Sequence, residues 1–453
     1  VKTFRWPAVI MFVALIISTP VVSNAITYNQ ALQMAFRNNP GLSIADLGVA
    51  ESEQKLTEAK SSFHPSVKFS ASYTRLGTVP MKKVEVAPGV KLDLPMGAAD
   101  NYKAGFAINA PIFLGGKRLF GLEMAELGVD AAVEKAMTSR ADLHSKVTTA
   151  FYGLMLAEES ERIARLNLSR TQEQLKETKA RWKVGYASPL DLKQDQVALS
   201  QAKAALVQAK NKTLRARQFL NMVIGRPLSD SVSAQGSLDV KYEKLSVDSL
   251  VERALDIRPE VSALGRAAKI AKLSLDMARS SYSPSVVFIG SPSWSNPDQA
   301  SGEGWGSSMA ATIALEWPLY DGGKGLAKAR AAEIQLKKFK YSKLQAVDGI
   351  ELEVRQAYAS WEEAAQQLMV QQNLGAQMAE LASMATEQYK MGVISSMDYQ
   401  KVMLSKTQVE LANLASRYQM ILAKEKLVAA AWLWDAKTLE EFKKPASNNG
   451  KED

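Results

Sequence analysis

Ala110-Pro111-Ile112-Phe113-Leu114-Gly115-Gly116-Lys117 is answered by Trp317-Pro318-Leu319-Tyr320-Asp321-Gly322-Gly323-Lys324, displaced by 207 positions, as Pro318 is from Pro111. Upstream, Ala59-Lys60-Ser61-Ser62-Phe63-His64-Pro65-Ser66-Val67 is answered by Ala278-Arg279-Ser280-Ser281-Tyr282-Ser283-Pro284-Ser285-Val286 at a larger displacement of 219, as Pro284 is from Pro65. Twelve residues, the difference of 219 and 207, are therefore missing from the second copy between these two anchors. Downstream the displacement stays fixed, with Phe151 on Tyr358, Gly185 on Gly392 and Asp191 on Asp398. Residues 27–224 thus reappear, in degenerate form, as 246–431. Gapless matching over such a distance marks a rigid element of fixed length, whereas a tolerated deletion marks an exposed loop.

Each octapeptide closes a stretch of period two. Val67, Phe69, Ala71 and Tyr73 alternate with Lys68, Ser70, Ser72 and Thr74, and Ala104, Phe106, Ile108 and Ala110 alternate with Lys103, Gly105, Ala107 and Asn109. Such alternation predicts strands with one apolar and one polar face. The second copy repeats it with Val286 and Phe288, then Ala311, Ile313, Leu315 and Trp317. Ahead of each strand pair, residues 31–63 and 250–282 carry helical spacing and end before Pro65 and Pro284, which stop a helix. Pro65, Pro111, Pro284 and Pro318 are accordingly read as the strand-to-helix junctions. The connection from Thr78 to Asn101 is long and polar with three prolines, and its counterpart from Ser295 to Trp305 is the shorter one.

Each octapeptide also opens a proline-free run, 117–183 and 324–390, rich in Ala, Leu, Glu, Lys and Gln. At about 1.5 Å per residue such a helix is roughly 100 Å long. Leu122, Val129, Ala136, Leu143, Ala150, Ala157 and Ala164 recur every seven residues, as do Val147, Leu154, Leu168, Leu175 and Trp182 on a second track. Coiled-coil packing follows. After a short turn, Leu192, Leu199, Leu206 and Leu220 mark a returning helix, as Met397, Leu404, Leu411 and Tyr418 do in the second copy. The expected fold is mainly α with a small β part: two long antiparallel coiled-coil hairpins and four strands per chain.

The expected organisation is an export signal at 1–25, a first repeat at 26–224, a connector at 225–247, a second repeat at 248–434 and a polar tail at 435–453. Within the first repeat the strands fall at 66–77 and 101–113, the long helix at 117–183 and the returning helix at 189–224. Within the second they fall at 285–294, 306–320, 324–390 and 396–434. The signal rests on Lys2 and Arg5 before the apolar run Val9 to Ile17 and on Ser23-Asn24-Ala25 as a small-residue cleavage site. Beyond it no apolar run approaches the roughly 18 residues of a transmembrane helix. There is no cysteine, hence neither a disulfide framework nor a lipid-accepting Cys. The net charge of +9 is interleaved with Glu and Asp along helices, which reads as a solvated face and not as a nucleic-acid site.

Four amphipathic strands of roughly ten residues match the span of an outer membrane. Four strands cannot close, and a transmembrane sheet tolerates no open edge, so several chains must share one barrel. Two chains would give eight strands and three would give twelve, and the polar inner faces favour three. A soluble β-layer capping a coiled coil, in a periplasmic structural tether, would carry a similar pattern.

The order of helix, strand pair ending in Pro-x-x-x-Gly-Gly-Lys (Pro111 to Lys117, Pro318 to Lys324), long helix, Gly turn and returning helix resembles the TolC-type outer-membrane efflux proteins over nearly the whole chain. The resemblance implies a homotrimer with a twelve-stranded barrel in outer-membrane lipid, continued by a helical tunnel through the periplasm. It implies docking to a periplasmic adaptor and an inner-membrane pump, with export of drugs or other small molecules, or alternatively the outer-membrane part of type I protein secretion.

The turns Val184-Gly185-Tyr186-Ala187-Ser188-Pro189-Leu190-Asp191 and Met391-Gly392-Val393-Ile394-Ser395-Ser396-Met397-Asp398 join the hairpins at their far end. Gly185 and Gly392 suit the left-handed residue that ends a helix, Ser188 and Ser395 suit N-caps, and Asp191 and Asp398 complete capping boxes, with Pro189 at the first helical position. The resemblance adds a functional expectation: in related channels the tip is held shut by such Asp residues, a Tyr and an Arg. Tyr389 matches the Tyr, Ile394 stands where the Arg would be, and Lys401 stands where relatives carry a second acidic ring. Closure is therefore expected to rely on packing of Tyr389, Met391 and Ile394 more than on charge.

Tyr73, Tyr102, Trp294 and Trp305 near the strand ends suit an interfacial girdle. The Gly-Gly-Lys segments lack the earlier Gly and the following Ser or Thr of a phosphate loop. His64 and His144 lie far apart without Cys, and no nucleophile, base and orienting group occur at useful spacing. No metal, cofactor or enzymatic activity is expected.

Overall fold

The computed structural model describes residues 24–79, 81–95, 97–298 and 304–443. The export signal expected at 1–25 lies outside them apart from its last two residues, as does the tail from 444 onward. The chain forms two compact units. One comprises the chain up to Asn39 with Leu143–Tyr242 and Trp361–Glu425, and the other comprises Pro40–Asp142, Glu243–Ser360 and the chain from Lys426.

In chain order the elements begin with β1 (Asn24–Ile26), α1 (Tyr28–Asn38) and α2 (Pro40–Ser61), followed by β2 (Ser66–Arg75), β3 (Met81–Ala87), β4 (Val90–Pro95) and β5 (Asp100–Phe113). The first hairpin is α3 (Lys117–Lys183) and α4 (Pro189–Val223). Then come β6 (Val232–Ala234), α5 (Val247–Ile257), α6 (Pro259–Arg279), β7 (Ser285–Asn296) and β8 (Gly306–Glu316). The second hairpin is α7 (Lys324–Lys390) and α8 (Ser396–Ala430), and α9 (Ala436–Lys443) follows.

In the unit that holds the sheet, four antiparallel strands run in the order β2-β5-β7-β8, so β2 and β8 are its edges. Register follows the alternation: Phe69 faces Phe106 and Tyr73 faces Tyr102, with ring centroids 5.2 and 4.9 Å apart. Such cross-strand aromatic pairs are the unit of sheet stabilisation. β2 is exposed along its whole length within a single chain. Trp305 stands 6.3 Å from Tyr102, while Trp294 packs on Phe106 further along the sheet, so the four expected girdle aromatics occupy two levels.

Several local expectations are corrected here. The helices read as continuous over 31–63 and 250–282 are each broken by a proline. Asn39 (ψ 118°) and Arg258 (ψ 129°) take the extended conformation that a following proline imposes. Pro111 is no strand-to-helix junction but lies inside β5, opposite Val287 and beside a bulge. It is tolerated there because β2 pairs only as far as Asn109, so no donor is needed on that side. The junction itself falls at Gly115 and Gly116, whose φ values of 62° and 84° require glycine. The polar connection Thr78 to Asn101 contains the hairpin β3–β4, turned at Pro88-Gly89. β8 ends at Glu316, short of the expected 320, and Pro318 lies between it and α7. The tail expected from 435 starts with α9, whose Phe442 is 0% exposed and packs on Trp432 and Trp434.

In the other unit, Val147 and Leu154 of α3 and Leu220 of α4 are fully buried, on the seven-residue tracks read from sequence, and Phe151, on neither track, is buried beside them. The connector after α4 supplies β6, which pairs in parallel with β1. It is anchored by Arg217 Nε donating to Val232 O at 2.8 Å and by Ala234 N donating to Glu158 at 3.2 Å. Ile163, Leu238, Leu414 and Ile421 form a further cluster.

Candidate functional site at the hairpin turns

The two turns are built alike. Tyr186 N donates to Arg181 O at 2.8 Å and Gly185 N to Trp182 O at 3.1 Å; Val393 N donates to Gln388 O at 2.9 Å and Gly392 N to Tyr389 O at 3.1 Å. These paired bonds close the helix ends around left-handed glycines, with φ of 84° at Gly185 and 75° at Gly392. Both returning helices carry the expected serine cap, but only the first completes its capping box, since at the second turn Asp398 Oδ2 accepts from Ser395 Oγ. Ser188 Oγ accepts from Asp191 N at 3.1 Å while Asp191 Oδ2 accepts from Ser188 N at 2.9 Å, and Ser395 Oγ accepts from Asp398 N at 3.1 Å. Both aspartates are thus already engaged in their own turns. Lys401 reaches Asp398 at 3.9 Å across an exposed pair, a weak interaction in water.

Tyr389 is different in kind, being only 5% exposed. Its Oη accepts from Gln174 Nε2 at 2.7 Å, its ring stacks on Tyr399 at 4.8 Å, and the Arg181 guanidinium lies 4.8 Å from its centroid. Arg181 also pairs with Glu177 at 2.6 Å. A cation therefore does meet Tyr389, but from α3 and through the ring face. Met391 is 71% exposed and Ile394 partly so, which leaves Tyr389 as the one member of the expected trio that packs deeply within a single chain.

One group here was missed by sequence reasoning. Asp195 of α4 is 0% exposed. Its Oδ1 accepts from Gln400 Nε2 and lies 3.5 Å from Ser396 Oγ, both on α8, and its Oδ2 makes no well-formed hydrogen bond. Gln174 Nε2 joins the cluster, 3.4 Å from both Ser396 Oγ and Thr178 Oγ1. Burial pushes the Asp195 carboxyl above its ordinary range. Hydrogen bonds from Thr178 and Ser396 oppose this, and the like charges of Asp191 and Glu177 add to it. Its signal in the sequence is an acid on the seven-residue track of Ala202 and Ala209, both buried.

Among the described residues no group of three or more His, Cys, Asp or Glu could hold a metal, and no helix is long and apolar enough to cross a membrane.

An internally duplicated chain with two long helical hairpins and an open four-stranded sheet is the architecture of a channel subunit. Residues 31–226 and 250–431 match the family described as outer membrane efflux protein, and the chain belongs to that family. It is similar to the outer membrane efflux protein BepC of Brucella suis, 23% identical over 408 residues, 89% of this chain and 85% of that one. It is 24% identical over 213 residues to the alkaline protease secretion protein AprF of Pseudomonas aeruginosa, 46% of this chain and 44% of that one. Its fold is shared with the CmeC outer membrane channel of Campylobacter jejuni, at a TM-score of 0.76 and 18% identity, over 92% of this chain and 89% of that one. The protein is thus an outer-membrane efflux channel with a periplasmic extension and not an enzyme, and the structural-tether alternative falls with that membership.

Proposed function

We propose that three copies of this chain assemble into one twelve-stranded barrel and serve as the exit duct of a tripartite system for small molecules, docked to a periplasmic adaptor and an inner-membrane pump. The sheet carries this reading. It has four antiparallel strands with two edges, β2 and β8, on a chain with an alternating apolar face. Unpaired edges are not tolerated in hydrocarbon, and pairing β8 of one chain with β2 of the next removes all of them at once. The hairpin turns with Tyr389, Asp191 and Asp398 form the constriction at the periplasmic end, where the helices of the three copies converge.

The chain has no native cysteine, so paired cysteines introduced along β2 and β8 report on assembly directly. Oxidation in outer-membrane fractions should yield a covalent trimer, and recovery of monomers and dimers alone would sink the reading. Efflux is favoured over protein secretion because the likeness to the efflux protein BepC spans most of both chains, whereas that to the secretion protein AprF covers less than half of each. Drug sensitivity of a deletion strain, restored by this chain while protein secretion is unchanged, separates the two cargos.

A further inference from the structure

The other buried acid of the described helices, Glu134, meets Arg266 at 2.8 Å, and the half-buried Asp46 and Glu425 meet Arg140 and, at 3.1 Å, His144 Nδ1. Asp195 does not follow this pattern. Its partners are the neutral Ser396, Gln400 and Thr178. Charged and titratable groups surround it on all four helices of the two hairpins. From α3 come Glu177 and the Arg181 that Glu177 and the Tyr389 ring hold; from α4, Asp191; from α7, Tyr389; from α8, Tyr399 and the exposed pair Asp398 and Lys401. The charges of Asp191 and Glu177, which act on it, have its own sign. A carboxylate taken out of water without a cation neutralises by taking up a proton.

We infer that Asp195 is a proton-binding site that clasps the two hairpins of one protomer, holding α8 against α4 while the proton is bound and releasing them when it leaves. The inference rests on reading the hairpin end as the constriction and adds to that reading what controls it. The chemistry is that of a switchable donor. With the proton on Oδ1, a neutral carboxylic acid gives its O–H toward Ser396 Oγ, 3.5 Å away, and still accepts at that oxygen from Gln400 Nε2. The ionised form only accepts and carries charge on the unpartnered Oδ2, where the neutral form has an uncharged oxygen, so it gains by drawing in water, which requires α8 to move off α4.

The sign follows from linkage. Burial raises the carboxyl's proton affinity in the clasped state, so that state is favoured at low pH and loses its advantage as pH rises through the raised value. The window opens near the ordinary carboxylate value, about 3.9, and closes at the raised one. One proton per protomer changes the open-to-shut ratio by at most about tenfold per pH unit within it.

The test uses the assembled channel with two measurements from about pH 4 to about pH 8. These are hydrogen exchange over residues 384–400 and conductance in planar bilayers. Wild type should lose protection and gain conductance as pH rises, whereas Asp195→Asn, permanently neutral, should stay protected and shut throughout. Asp195→Ser, smaller and also neutral, serves if the Asn variant fails to assemble. A neutral variant whose protection keeps the wild-type pH dependence overturns the proposal. If the variant abolishes the pH dependence of protection but conductance never responds in either protein, the proton clasp stands and the constriction reading fails.

Discussion

At the level of single residues the hairpin end separates side chains that serve their own turn from those that join helices. Asp191, Asp398, Ser188 and Ser395 were legible because capping is local and written within four residues. Tyr389, Gln174 and Asp195 were not legible as a group, because their contacts join positions 215 and 205 residues apart in sequence. Tyr389→Phe keeps the stacking on Tyr399 and removes the acceptor for Gln174, whose remaining contacts are 3.4 Å long. The expected cost is about 1 kcal/mol in denaturant unfolding, with raised basal conductance. Tyr389→Ala also empties a buried ring site and should cost about 3–5 kcal/mol. Ile394→Ala, at a partly exposed position, should stay within about 0.5 kcal/mol of wild type, and a wide opening of the pore by this change would contradict the assignment.

At the level of elements, legibility tracked punctuation. The ends of α3 and α7 were readable to the residue because Gly-Gly precedes them and a single left-handed Gly follows. Strand ends were unevenly readable, since β8 stops four residues short of the expected position while β5 ends at the expected Phe113. Alternation alone does not say which side of a strand must donate. The hairpin β3–β4 was hidden in a polar segment, although Pro88-Gly89, with φ of 85° at the glycine, is the turn signal that would have revealed it. The capping box of α4 gives a prediction proper to this scale. Ser188→Ala should cost about 1 kcal/mol and speed hydrogen exchange in residues 189–192, while α3 keeps its protection.

At the level of the molecule, the duplication sets the design: two copies of one helix, strand pair and hairpin unit, with the displacement constant wherever the element is rigid. The alternating face of β2 carries a prediction. Phe69, 63% exposed in a single chain, lies on the apolar face, and Ser70 on the polar one. Phe69→Arg should destabilise the proposed barrel by about 2–4 kcal/mol if it lies near the membrane midplane. It should also cut the yield of heat-resistant trimer in outer-membrane fractions, whereas Ser70→Arg should leave that yield unchanged. Equal yields from the two variants would contradict the assignment of faces.

The two sheet edges have a genetic corollary. Because β2 and β8 are different surfaces, the contact between neighbours in the proposed trimer is head to tail, and a chain crippled along β8 still offers a sound β2. Such a chain is recruited by healthy neighbours and leaves a gap in the wall that no further copy can mend. A β8 mutant should therefore be dominant: expressed in equal amount with the wild type, it would leave only about one ring of three in eight free of a damaged member.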